Sequence, residues 1–113
     1  MGADVSLILE YPGMTEEQVM AVVLDAPGVV RGEDGKVLLS GKYRLDIYST
    51  EPGDCLIDLV DWGEDGAARA IDSLYYFLAD RTLWRLWTDY EDVCDTYASM
   101  GIRMKERPAL PAA

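Results

Sequence analysis

Residues 54–80, DCLIDLVDWGEDGAARAIDSLYYFLAD, constrain this chain more than any other stretch. They read as a buried strand, a tight glycine-containing turn and the most clearly amphipathic helix in the sequence. In the strand, Cys55 to Asp61, alternation sends Cys55, Ile57 and Leu59 to one face and Leu56, Asp58 and Val60 to the other. In the helix, Gly66 to Asp80, the 3.6-residue period gathers Ala67, Ala70, Ile71, Leu74, Phe77 and Leu78 on a core face. Arg69, Asp72, Ser73, Tyr76 and Asp80 are left outside. The same stretch concentrates charge of one sign. No Lys or Arg occurs between Arg44 and Arg69, whereas Asp46, Glu51, Asp54, Asp58, Asp61, Glu64 and Asp65 all lie there. A core element and the strongest negative field are therefore built from neighbouring residues.

The flanking sequence supplies the partners of this unit. Val5 to Glu10 alternates as a strand with Val5, Leu7 and Leu9 on one face, and Pro12-Gly13 stops it. Thr15 with Gln18 three residues on is a capping box, and Glu16 and Glu17 sit at the positive end of the helix it starts. Val19, Val22, Val23 and Ala26 give that helix its apolar stripe up to Pro27-Gly28. Arg31 to Gly35 reads as a polar loop. Lys36 to Ser40 and Tyr43 to Ser49 read as a hairpin around Gly41, with Tyr43, Leu45 and Ile47 opposite Arg44, Asp46 and Tyr48. Beyond the main helix, Leu83 to Thr88 alternates as a strand that places Trp84 and Trp87 on opposite faces. Asp89 to Met100 reads as a short helix closed by Gly101, Ile102 to Glu106 as a last strand, and RPALPAA as a frayed tail.

This order predicts an α+β fold, a largely antiparallel sheet of about five strands with two main helices on one face. Its outline resembles the ferredoxin-like split βαβ plan with an inserted strand. Residues 1–106 form one domain and 107–113 a tail. A chain of 113 residues, half of them hydrophobic, can bury roughly 65% of its unfolded surface.

Composition excludes more than it includes. The net charge is −11, from 21 acids against 10 bases. Such a chain repels nucleic acid and anionic membranes and attracts basic partners. There is no histidine, which removes the commonest general base and the commonest metal ligand. Cys55 and Cys94 make no metal-binding spacing and read as reduced core thiols. With no long apolar run and no leader pattern, the expected location is cytoplasmic. Asp61 to Asp72 partly matches a calcium loop, but Gly63 stands where a ligand belongs and Asp72 replaces the bidentate Glu. Acids at a helix N-terminus explain it better. Met1-Gly2 to Ser6 matches an acylation pattern with no basic cluster beside it. No serine has an elbow motif, and no phosphate loop is present. The expectation is therefore no enzyme activity, no cofactor and no metal.

What remains is a recognition surface. Asp72, Tyr76 and Asp80 fall one above another on the outer side of the main helix, and Asp61, Trp62, Glu64 and Asp65 precede it. Asp58 lies in the strand before them, and Tyr90, also beside acids, widens the surface. A tyrosine flanked by carboxylates suits a hot spot for a basic protein partner. The expected role is an inhibitor of the immunity type that presents carboxylates to the active site of a basic nucleic-acid-acting enzyme or toxin, working as a monomer or weak homodimer. Three readings compete with it: a phage counter-defence, anti-CRISPR-like DNA mimic; a carboxylate-based small-molecule enzyme or ligand-binding domain; and a structural or regulatory subunit whose exposed aromatics form a homodimer seam.

Overall fold

The alternation of the first residues becomes strand β1 (Ser6–Glu10), and the capping box starts helix α1 (Glu16–Leu24). The Gln18 amide donates to Thr15 Oγ1 at 3.2 Å, and the Thr15 amide donates to the Gln18 side chain at 3.1 Å. The structure, a computed structural model, describes residues 5–90 and 93–111, apart from the side chain of Cys94. The Gly2 acylation pattern lies largely outside the described residues. The chain continues through β2 (Val30–Arg31), β3 (Val37–Leu39), β4 (Tyr43–Tyr48) and β5 (Asp54–Leu59) to α2 (Ala67–Arg81). It ends with β6 (Arg85–Asp89), α3 (Cys94–Ala98) and β7 (Glu106–Arg107).

The seven strands form one sheet in the order β2-β3-β4-β5-β1-β6-β7, every adjacent pair antiparallel. Its centre, β4-β5-β1-β6, carries the ferredoxin-like connectivity. β1 and β4 both run against β5, which lies between them, and α1 and α2 make the crossovers. The inserted piece is the β2–β3 hairpin. Sequence reading missed β2 because both its residues are exposed and show no alternation. The supposed polar loop is its turn: the Gly32 amide donates to Lys36 O at 2.8 Å and the Gly35 amide to Gly32 O at 2.9 Å.

One buried cluster lies on a single side of the sheet. Val5, Leu7 and Leu9, Cys55, Ile57 and Leu59, and Tyr43 and Leu45 face it, as their alternation requires. Val19 and Val23 of α1, Ile71, Leu74 and Leu78 of α2, and Tyr97 of α3 close it from above. Trp84 packs half-buried on this cluster, and Trp87 lies on the other face with the Arg85 guanidinium 4.2 Å from its ring centre.

Toward the C-terminus three further expectations need correction. The helix expected over Asp89 to Met100 is confined to Cys94–Ala98 among the described residues, because Asp89 still belongs to β6 and Tyr90 is fully buried. Its end is a Schellman motif, with the Ile102 amide on Tyr97 O and the Gly101 amide on Ala98 O. The arc of α2 that is buried comprises Ala67, Ala68, Ile71, Leu74, Tyr75 and Leu78, whereas Ala70 and Phe77 are only half-buried. Residues 102–107 cause this, since they lie along one flank of the helix and cover Tyr75. Finally, the tail expected to fray from Arg107 onward is fastened. Arg107 pairs with Leu86 in the sheet, its guanidinium donates to Ala79 O and Trp84 O, and the Leu110 amide donates to Leu83 O at 2.8 Å.

Tyr90 and Tyr97 stack edge to face beneath α3, ring centres 5.1 Å apart. Burial pushes the Tyr97 phenol up to about 12 and the Tyr90 phenol higher still. The Tyr97 hydroxyl donates to Trp62 O at 3.0 Å, but the buried Tyr90 hydroxyl has no hydrogen-bond partner among the described residues. An unmade buried hydrogen bond is costly, so Tyr90→Phe is expected to raise stability by about 1 kcal/mol. Urea unfolding curves of the two proteins check this, and a less stable phenylalanine variant would refute it.

Candidate functional site

The residues expected to form one acidic surface occupy three separate places. The first is the turn from β5 into α2. Asp61 accepts the Arg44 amide at 2.8 Å, so its carboxylate caps the end of the β4–β5 ladder. The Glu64 amide bonds Asp61 O and the Ala67 amide bonds Glu64 O, each at 3.0 Å. Gly66 then takes a φ of +87°, and the Tyr43 hydroxyl donates to Asp65 O beside it. Trp62 packs half-buried on the core, while the Glu64 and Asp65 side chains project into solvent. Of the acids in the calcium-like pattern, only Asp61 engages its carboxylate in these hydrogen bonds. Among the described residues no group of three or more His, Cys, Asp or Glu is gathered to hold a metal ion.

The second place is the flank of α2. Tyr76 is 57% exposed and Asp80 is exposed, but Asp72 is not an open charge. It is half-buried and ion-paired with Lys105, whose ammonium also lies 5.1 Å from the Tyr76 ring centre and 5.5 Å from that of Tyr75. Beside Tyr76 runs a groove of about 790 Å³ lined by Lys42, Arg69, Phe77 and Asp80 among others. The flank thus carries both signs of charge, and its acidity is lower than the sequence suggests. Tyr90, expected to widen this surface, is inside the protein.

Asp58 lies in the third place, on the sheet face turned away from the helices. There the strand register sets side chains in rows across the sheet. Tyr48 faces Leu56, Leu56 faces Ile8, and Ile8 faces Trp87, giving one apolar row over four strands. Two residues along the strands, Asp46 faces Asp58, Asp58 faces Ser6, and Ser6 faces Asp89. Two residues the other way lie Asp54, Glu10 and Arg85. Both oxygens of Asp58 are held, one by Ser6 Oγ at 2.6 Å and the other by the Tyr48 hydroxyl at 2.8 Å. Arg44 pairs with Asp46 at 3.1 Å, and Arg85 bridges Glu10 and Glu106 at 3.2 and 3.3 Å. At the end of this face the Glu51 carboxyl is held above its usual range, first by a hydrogen bond with Asp54, then by the charge of Asp54 and, least, by that of Glu10.

Sequence reasoning placed Asp58 correctly on its strand but missed Ile8, Leu56, Tyr48 and Trp87 as a group. The local signal was there, since SLILE and CLIDL carry apolar residues at outward positions as well as inward ones. Only the register aligns them. The thiol expected in the core at Cys55 is buried and free, and burial pushes it up to about 11. No helix among the described residues is long and apolar enough to cross a membrane. Compared with protein-family models, curated proteins and solved structures, the chain matches none of them.

Proposed function

We propose that this chain is an acidic inhibitor of the immunity type, a cytoplasmic protein that binds a basic nucleic-acid-acting enzyme or toxin and blocks its active site with carboxylates, without catalysis of its own. The observation that carries this reading is how the chain uses its few cations. Lys36, Arg44, Arg81, Arg85 and Lys105 are paired with carboxylates of the same chain, and Arg107 is committed to two backbone carbonyls. Arg31, Lys42, Arg69 and Arg103 stay exposed, but with 21 acids against 10 bases the net field beyond the surface is that of the surplus acids. Most of those pairs are exposed and contribute little to stability, so stability alone does not account for the excess. A one-sign field does raise the rate at which a basic partner arrives, and it favours a surface that binds phosphates over one that does not.

The test is capture of partners from the native cells at low and at high salt, followed by a nucleic-acid cleavage or deamination assay of the captured protein. The expected result is a basic enzyme whose activity falls when the chain is added back. Its association rate should drop steeply with ionic strength, because screening shortens the reach of surface charge to about 8 Å at physiological salt. A rate that is flat across salt, or an enzyme whose activity is unaffected, overturns the reading.

A further inference from the structure

We propose that the partner docks on the uncovered face of the sheet, and that it does so with a basic amphipathic helix laid across the strands. The inference rests on the inhibitor reading above and names the surface and the partner's shape.

An antiparallel sheet with one face in water ordinarily alternates apolar residues inward and polar residues outward. Here β1 and β5 break that rule at Ile8 and Leu56, and β4 and β6 add Tyr48 and Trp87 in the same row. Ile8, Leu56 and Trp87 are half-buried, and Tyr48 is 38% exposed, yet all four point away from the side where α1, α2 and α3 build the core. No helix among the described residues covers this row; only the Arg85 guanidinium, held by Glu10 and Glu106, lies over its Trp87 end.

The spacing fits a helix. Three steps between four strands span about 14 Å, which roughly ten residues of helix cover in about three turns. The row of Asp46, Asp58 and Asp89 runs parallel to the apolar one at about 7 Å, the separation of two residues along a strand. That is where the flanking positions of a helix about 10 Å wide would hold Lys or Arg while its i, i+3, i+4 and i+7 positions rest on Leu56, Ile8 and Trp87. Such a helix would turn a two-layer fold into a three-layer one.

Charge decides the kind of occupant. Asp46 stands directly opposite Asp58, an arrangement of like charges that weakens a strand pair, and Arg44 offsets only part of it. A cation arriving between them relieves this repulsion. A second copy of the chain would instead bring its own acid row against this one, and nucleic acid would bring phosphates. Strand addition has little to build on, since the edge strands β2 and β7 are two residues each.

The experiment uses two stapled helical peptides of about 12 residues and equal composition, one with leucines in a single stripe among Lys and Arg, the other with the leucines scattered. Each is titrated at low salt into the isotopically labelled chain and followed by nuclear magnetic resonance. The expected result is that the striped peptide shifts the amides of Ile8, Leu56 and Asp58 and the Trp87 indole most. It should bind about tenfold more tightly than its isomer, and Leu56→Thr should remove that advantage. Asp58→Asn should weaken it about fivefold, while the charge-matched Asp34→Asn on the β2–β3 turn stays within about twofold. Equal binding by both peptides, or shifts centred on Tyr76 and Asp80, overturns the sheet-face inference and leaves the inhibitor reading standing. Failure of both cationic peptides to bind overturns both. Peptide-free shifts of the same residues with protein concentration would make the occupant a second copy and also refute the proposal.

Discussion

Gly66→Ala is expected to destabilise the fold by about 3 kcal/mol, even though alanine is the better helix former and the position opens a helix. Gly66 has a φ of +87°, a conformation that costs an L-residue about 1–2 kcal/mol. A Cβ built there would stand 2.6 Å from the Tyr43 hydroxyl. That hydroxyl cannot swing aside cheaply, since Tyr43 is buried and donates to Asp65 O across the same turn. The reduced freedom of the unfolded chain returns less than about 1 kcal/mol. The melting temperature should fall by roughly 15 °C for a chain of this size. Gly63→Ala, in the same turn, is the control. Its φ is not positive, and an added methyl group would meet no atom within 4 Å, so the melting temperature should hardly change. Equal behaviour of the two variants would show that Gly66 does not set the angle between β5 and α2.

Arg107→Ala should cost about 2 kcal/mol, a large effect for a residue so near the end of the chain. Its guanidinium donates to Ala79 O in the last turn of α2 and to Trp84 O just before β6. It therefore satisfies a carbonyl that the helix itself leaves open and ties the helix end to the next strand. Hydrogen bonds from a charged donor contribute more than neutral ones, but the buried Nε–H, without a partner among the described residues, offsets part of the gain. Denaturant unfolding measures the difference. A frayed tail would make this substitution silent, within about 0.5 kcal/mol, so the outcome decides between the two descriptions.

The two cases differ in how far apart the interacting residues are. The start of α1 was legible, since Thr15 and Gln18 are three residues apart and their reciprocal hydrogen bonds are local. The inward faces of β1, β4 and β5 were legible too, because side-chain direction follows from alternation within a single strand. The turn before α2 was recognised from its glycines, though not that Tyr43 would close over it. Asp72 was misjudged because its partner, Lys105, is 33 positions away, and no pattern inside the helix announces it. Arg107 was misjudged for the same reason, with its acceptor Ala79 at a separation of 28.

The sequence by itself determined the α+β class, the one-sign charge, the capped first helix and which residues of β1, β4 and β5 share a face. These are properties of composition or of a few consecutive residues, and short-range sterics and hydrogen bonding enforce them whatever the rest of the chain does. The tertiary structure alone decided which carboxylates stay open, which flank of α2 is covered, and that Tyr48, Leu56, Ile8 and Trp87 lie side by side. That row draws on four strands, and its alignment depends on register. A shift of one residue in any pair would turn that strand's outward side chains inward, so the buried face of the sheet, by fixing the register for its own packing, also sets the pattern on the face left open.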